Sequence, residues 1–175
     1  MRNICYDVAV SVNGFIAGPE DDISVYPHEG DHVEAYFKRL ETYDAVIMGR
    51  RTYEFGYRFG LEPGQRAYPH MQHYIFSRSL EIPEGAAVEV VRDDWVDTVR
   101  RLKTTAGGDI YLCGGGSFAG LLLSQGLVDR LRLKVAPVIL HAGIALFDEI
   151  SDAANLTLTD VVRHDSGVTY LSYDL

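Results

Sequence analysis

Asp109-Ile110-Tyr111-Leu112-Cys113-Gly114-Gly115-Gly116-Ser117-Phe118-Ala119-Gly120-Leu121-Leu122-Leu123 reads as strand, glycine turn, helix. Ile110 to Cys113 is a short apolar run, as a parallel strand buried on both faces requires. After the glycines, Phe118, Leu121, Leu122 and Gln125 fall on helical spacing, and Gly126 is placed to stop the helix. Glycine permits a tight turn and lets a ligand come close to the backbone. The helix behind it points free N–H groups and a positive dipole end at the turn, which suits a phosphate or pyrophosphate. Gly114-x-Gly116-x-x-Ala119 formally fits the dinucleotide fingerprint. A Rossmann unit also needs an acid about 20 residues on. Here the next apolar run, Leu131 to Val135, ends in Ala136-Pro137, so that reading fails on context. A purely structural turn stays open as an alternative.

Other strands end in the same kind of chemistry. Asn3 to Val12 reads as a central strand interrupted by Asp7, a carboxylate that is costly to bury unless paired. Asn13-Gly14 marks a turn, and Phe15-Ile16-Ala17 continues apolar. Gly18 to Gly30 is a long acidic loop of the type that often forms a lid. Asp31 is placed to cap a helix to about Thr42, with Val33, Tyr36, Phe37 and Leu40 on its apolar face. Ala45 to Met48 is a second buried strand and runs straight into Gly49-Arg50-Arg51-Thr52-Tyr53-Glu54. Guanidinium forks suit phosphate oxygens, although surface arginines are more often only solvated. Phe55 to Gln72 is rich in glycine and aromatics and reads equally as a pocket wall or a packed surface loop. His73 to Phe76 is a third strand, followed by Ser77-Arg78, and Ala87 to Val91 a fourth. Asp93 or Asp94 can cap the helix of Trp95, Val99 and Leu102. Asp129 to Val135 is a strand, followed by the apolar Pro137 to Leu140. Leu156 to His164 and Val168 to Leu175 alternate around the loop Asp165-Ser166-Gly167, as a hairpin does.

The β-α-β order with a closing hairpin predicts an α/β fold, a mixed and mostly parallel sheet with helices on both faces. In such sheets ligands bind beyond the carboxyl ends of the strands. At 175 residues the chain is read as one domain over 1–175. A net charge of −9 argues against nucleic acid or an anionic membrane as partner. No apolar run approaches the length of a membrane span, and no targeting segment is visible. Cys5 and Cys113 fall in predicted buried strands, which fits a reducing, cytoplasmic compartment, and no Cys/His cluster has metal spacing.

The ordered set Ser11-Val12-Asn13-Gly14-Phe15-Ile16-Ala17, Val46 to Glu54, Ile75-Phe76-Ser77-Arg78, Ile110 to Ser117 and Pro137-Val138-Ile139-Leu140 resembles the dihydrofolate reductase fold. More closely, it resembles the single-domain relatives of the C-terminal reductase domain of the bifunctional riboflavin-biosynthesis deaminase/reductase. The resemblance covers essentially the whole chain and rests on several motifs in the right order. It implies a three-layer α/β/α fold and NADPH lying across the strand ends. Ala9 and Ile16 would meet the nicotinamide carboxamide. Gly49, Arg50, Arg51 and Thr52 would hold the phosphates, and Ser77 and Arg78 the adenosine 2′-phosphate. Gly114 and Gly115 match a pair joined by a cis peptide in this family, and Gly116, Ser117 and Phe118 would begin the helix facing the pyrophosphate.

One departure concerns the chemistry. Dihydrofolate reductases carry an acid in the first helix, and Val33 stands at its place here. The threonine that usually partners that acid aligns with Lys134. Asp7, Asp31 and Glu34 are therefore the candidate proton donors, with Asp7 and Lys134 expected on the substrate side, paired, or with Lys134 free for an anionic substrate. Val33, Phe37, Tyr53, Phe55, Tyr57 and Lys134 would frame the substrate. The resemblance thus implies an NADPH-dependent reductase of a small pterin- or pyrimidine-like acceptor, cytoplasmic and homodimeric. A non-catalytic NADPH-binding module on the same fold is the alternative.

Overall fold

A computed structural model describes residues 1–175. The elements run β1 (Ile4–Ser11), β2 (Phe15–Ala17), α1 (Asp31–Leu40), β3 (Tyr43–Gly49), α2 (Arg50–Phe55), β4 (Gln72–Phe76), β5 (Glu89–Val91), α3 (Trp95–Thr104), β6 (Asp109–Gly114), α4 (Gly116–Ser124), β7 (Arg130–Ala136), β8 (Ile144–Ala145), β9 (Thr157–Arg163) and β10 (Thr169–Asp174). Eight strands form one sheet in the order β5-β4-β3-β6-β1-β7-β10-β9, and β2 pairs with β8 in a small second sheet. All pairs from β5 across to β7 are parallel, and β10 is the one reversed strand of this sheet, antiparallel to β7 on one side and to β9 on the other. No helix is long and apolar enough to cross a membrane.

The central strands are apolar at consecutive positions because both their faces are covered. Tyr6, Ile47, Ile110 and Leu112 pack against Phe118, Ala119 and Leu122 of α4 and Val99 of α3. Their sequence neighbours Cys5, Val46, Met48 and Tyr111 face the other way, toward Leu40 of α1 and Tyr53 of α2. Each fully buried aliphatic side chain contributes roughly 1.5–3 kcal/mol, so the double-sided centre dominates stability. The result is the three-layer arrangement expected.

Several local expectations are corrected. The apolar Pro137 to Leu140 forms no strand, and β2 pairs with Ile144–Ala145, which the sequence pattern does not mark. Asp31 lies inside α1, where Gly30 is the cap residue and no side chain caps the helix. Asp94 holds the cap position of α3 in a left-handed conformation, again without a side-chain bond. Phe37 is 59% exposed rather than core, and α1 instead turns Arg39 inward, because a buried acid on β1 requires a cation. The Gly18 to Gly30 loop is not loose. Tyr26 Oη donates to the Phe15 carbonyl at 2.6 Å, and His32 Nε2 lies 3.1 Å from the Pro27 carbonyl. β9 is exposed at every residue, since it is the sheet edge and no helix covers it.

Candidate cofactor and substrate site

Two helices begin side by side at the carboxyl edge of the sheet. β3 passes directly into α2 through Gly49, and β6 into α4 through Gly115, with no side-chain cap on either helix. The first N–H groups of each, at Arg50 to Thr52 and Gly116 to Phe118, therefore lack intrahelical acceptors. β3 and β6 are sheet neighbours, with Met48 opposite Gly114. The Gly114–Gly115 peptide is cis. A Cβ on Gly115 would meet only Thr52 Oγ1, at 3.4 Å, so its side toward the edge is open. Gly116 differs. A Cβ there would run into the carbonyl of Ala145, so this glycine is required by a crossing backbone segment and not by a ligand.

Beside this turn the sheet opens. β1 pairs with β6 only over Ile4, Cys5 and Tyr6, whereas its pairing with β7 continues to Ser11. The upper half of β1, including Ala9, thus borders a slot on its β6 side. Ile16 lies beyond it on β2 and is half-buried.

The arginines along the edge are held weakly or not at all. Arg50 pairs with Glu54 at 3.7 Å, and Arg51 with Asp21 of the acidic loop at 2.9 Å. Exposed pairs of this kind contribute about 0–1 kcal/mol, so a multiply charged phosphate can displace them. Arg78 is exposed, has no carboxylate partner and lies 6.0 Å from the centre of the Trp95 ring. Ser77 is buried, and its Oγ accepts the N–H groups of Ser79 and Leu80, closing a turn. Ser117 Oγ donates to Asp148 at 3.1 Å. Phe118 is core, 4.7 Å from Phe76 between ring centres.

On the α1 side of the slot lies a buried polar cluster. Asp7 has no exposure. Both its oxygens are taken by Arg39, at 2.5 and 3.0 Å, and Tyr43 Oη adds a 3.4 Å bond. Lys134 Nζ is 3.9 Å from Asp7 and 3.1 Å from the centre of the Tyr36 ring. Burial pushes the Lys134 ammonium down, Asp7 opposes this, and the balance leaves it at about 8. Tyr36 and Tyr111 share a 2.8 Å hydroxyl bond, and Tyr68 Oη lies 3.7 Å from Cys113 Sγ. Burial raises both the Tyr36 hydroxyl and the Cys113 thiol.

Residues 2–170 match the model of the RibD C-terminal domain. The chain is 28% identical over 180 residues to YyaP of Bacillus subtilis (strain 168), covering 98% of this chain and 94% of that protein. The chain belongs to the RibD C-terminal domain family. Solved structures agree on the dihydrofolate reductase-like fold. A Shewanella sp. PV-4 protein named for riboflavin biosynthesis superposes with a TM-score of 0.83 at 22% identity, over 99% of this chain and 98% of that one. A Thermotoga maritima diaminohydroxyphosphoribosylaminopyrimidine deaminase/5-amino-6-(5-phosphoribosylamino)uracil reductase superposes with 0.71 at 15% identity, over 99% of this chain and 56% of that one.

Within this RibD-type fold, the three candidate acids occupy different places. Asp7 lies on the α1 side of the sheet, and Arg39 holds both its oxygens. Asp31 accepts from the N–H groups of Asp165 and Ser166 and from His164 Nδ1 at 3.0 Å, so it clamps the β9–β10 hairpin to α1. Glu34 is exposed and makes no ion pair or side-chain hydrogen bond. Val33 is half-buried on the same helix. Tyr53 is no pocket wall: it is buried, and its hydroxyl donates to the Gln65 carbonyl and accepts from Gly64 N–H. Tyr57 packs edge-on against Tyr53, and Phe55 carries the Arg58 guanidinium 5.3 Å from its ring centre. Arg39 was missed in the sequence reading. Its signal was present: a buried acid on a strand, and a cation three residues after Tyr36 on the helix above it. A surface depression between Pro63–Pro69 and Pro83–Ala87 lies at the opening ends of β4 and β5, away from the candidate acids, Arg39 and Lys134.

Proposed function

We propose that the protein is a reductase using NADPH in preference to NADH to reduce a small, flat heterocyclic acceptor. The observation that carries this is the edge itself. Two uncapped helix starts meet at Gly115 and Thr52, next to an unpaired Arg78 and a slot between β1 and β6. Gly49, Arg50, Arg51, Thr52, Gly114, Gly115, Gly116, Ser117 and Phe118 hold the phosphates, through backbone N–H groups at Ser117 and Phe118. Arg78 binds the 2′-phosphate, and Ser77 holds the turn that presents it. Ala9 and Ile16 flank the nicotinamide. When bound, the reduced cofactor supplies hydride; the protein orients the acceptor and handles the proton. The reductase named in the Thermotoga relative supports the same reaction class.

The same reading includes a cytoplasmic homodimer. Two unpaired cysteines support the compartment. Support for a second copy of the chain comes from the uncovered end of the sheet. The rows Val8-Leu133-Leu171-Val161 and Tyr6-Leu131-Tyr173-Leu158 cross four strands on one face. They finish on Val161 and Leu158, which are 53% and 52% exposed. A second reading, a nucleotide-binding module without turnover, is favoured by Val33 in place of a helix acid.

The test is a fluorescence titration with NADPH and NADH on wild type and Arg78→Ala. NADPH should bind more tightly, and Arg78→Ala should bring it to the NADH level. Binding of neither nucleotide would remove the reductase reading, and tight NADPH binding without oxidation by any acceptor would favour the module.

A further inference from the structure

We propose that Lys134 is the group that meets the reducible atom of the substrate, and that this atom is a carbonyl carbon whose oxygen accepts from Lys134 Nζ. The inference rests on the reductase reading and assigns a proton source and an acceptor class to that site.

The first observation is an imbalance of hydrogen bonds. Lys134 retains only 9% of its exposure, yet its ammonium makes no hydrogen bond; its nearest carboxylate is Asp7, at 3.9 Å. The Tyr36 ring lies against it, and the nitrogen itself still reaches solvent. Its donors are therefore free for an acceptor atom from a ligand. The second observation is register. Lys134 stands beside Ala9, one strand removed from the parting of β1 and β6, and its side chain lies on the α1 face with Asp7 of β1, Tyr36 of α1 and Cys113 of β6 around it.

The third observation is what the site lacks. An aminopterin ring is gripped through its amidine N–H groups, which need a carboxylate. Asp7 is the carboxylate nearest Lys134, and Arg39 occupies both its oxygens. The remaining polar groups are Lys134 and the hydroxyls of Tyr36, Tyr111 and Tyr68, all able to donate. A donor-lined pocket selects oxygen acceptors: a ketone, or the conjugated carbonyl of a flat ring.

In the step, the carbonyl carbon would take a hydride, one hydrogen with its electron pair, supplied by the reduced nicotinamide cofactor, which would leave oxidised. The Nζ–H bond breaks toward the oxygen. The products are an alcohol and the neutral Lys134 amine, which regains its proton from water. The groups that face the ammonium and set its titration are Asp7 from β1, Arg39 and Tyr36 from α1, Cys113 from β6 and Tyr170 from β10. An ammonium held near neutrality can give its proton readily at physiological pH.

The experiment uses isatin, a flat carbonyl acceptor without an amidine, and 7,8-dihydrofolate, which carries one. Turnover with NADPH is measured from pH 6 to 10, together with calorimetric isatin binding to cofactor-free protein. The variants are Lys134→Met and Lys134→Arg. We expect isatin to be preferred, with kcat falling tenfold per pH unit above about 8. Lys134→Met should lower kcat about 100-fold or more and weaken isatin binding about tenfold, with NADPH affinity unchanged. Lys134→Arg should keep isatin binding and lose the falling limb. Unchanged kcat, pH limb and isatin affinity in Lys134→Met would overturn the proposal, as would a preference for dihydrofolate or no isatin turnover by a wild type that binds NADPH. If the wild type binds no NADPH, the reductase reading falls on its own, and the isatin calorimetry alone decides the contact with Lys134.

Discussion

Arg39 reaches from the last turn of α1 to Asp7 in the middle of the sheet, its Nε 2.5 Å from one carboxylate oxygen and its Nη2 3.0 Å from the other. The pair does two things at once. It neutralises an acid with no exposure, and it fixes how α1 lies over the slot, since Tyr36 is one helical turn away on the same side.

Removing the cation leaves a buried charge with one long bond from Tyr43 and only the more distant Lys134 and Arg132 to offset it. Arg39→Met should therefore destabilise by about 3–5 kcal/mol, as truncation of buried ion pairs does. Adding Asp7→Asn should recover part of that loss. Urea unfolding of the two variants measures it; a loss below 1 kcal/mol for the single variant would show that Arg39 is dispensable.

The crossing of the Asp148 segment over α4 depends on a missing side chain. A Cβ on Gly120 would strike the Asp148 carbonyl. Gly120→Ala should cost about 1–3 kcal/mol through overpacking, despite the gain in helix propensity. Gly49→Ala should leave the melting temperature unchanged, because the nearest atom to its Cβ is at 3.7 Å. Thermal melts of both proteins separate the two cases.

His73 titrates against the fold. Burial pushes it down to about 4 from an ordinary 6.5. Its Nδ1–H donates to Met71 O, and its Nε2 accepts from Tyr68 N–H, so protonation breaks the second bond. Between these values the unfolded chain binds the extra proton, so stability should fall as pH drops from 6.5 toward 4. The slope is at most about 1.4 kcal/mol per pH unit. Urea midpoints of wild type and His73→Gln across this range check it: the variant should be flatter.

Asp31 acts lower. Partial desolvation raises its carboxyl, but the N–H groups of Asp165 and Ser166 and the His164 ring outweigh this and bring it to about 2, from 3.8. A carboxyl depressed in the fold stabilises fully above its unfolded value. That stability should disappear as pH falls from about 3.8 to about 2, and Asp31→Asn should lose the dependence. Hydrogen exchange at Asp165 and Ser166 reports the hairpin directly.

The proposed dimer has its own test. Leu158→Glu and Val161→Glu place charges on the uncovered rows without touching the double-sided core. Sedimentation velocity should show monomers for the double variant and dimers for wild type, with NADPH binding retained.

Much of this architecture is legible in the sequence because it follows from local pattern. The buried strands at Ala45, Tyr74 and Ile110 announce themselves by unbroken apolar runs, and that at Ile4 by a run broken only at Asp7, a pattern that suits a sheet covered on both faces. The strand-end glycines and arginines follow from where those runs stop. Pro137 to Leu140 is as apolar yet forms no strand, since an apolar run does not say whether a neighbour is there to pair with it. Phe37 misled because helical spacing gives a stripe but not its breadth.

Most of the element order and the parallel sheet with helices on both faces are legible in the chain itself, since apolar periodicity and turn chemistry act over a few residues. Which charges meet is a matter of packing. Asp7 and Arg39 are joined through space across a sheet and a helix, Asp31 is spent on a hairpin over 130 residues away, and Lys134 is left without an acceptor. Electrostatic partners and hydrogen-bond saturation depend on distances between segments remote in the chain, and those are set only when the layers pack.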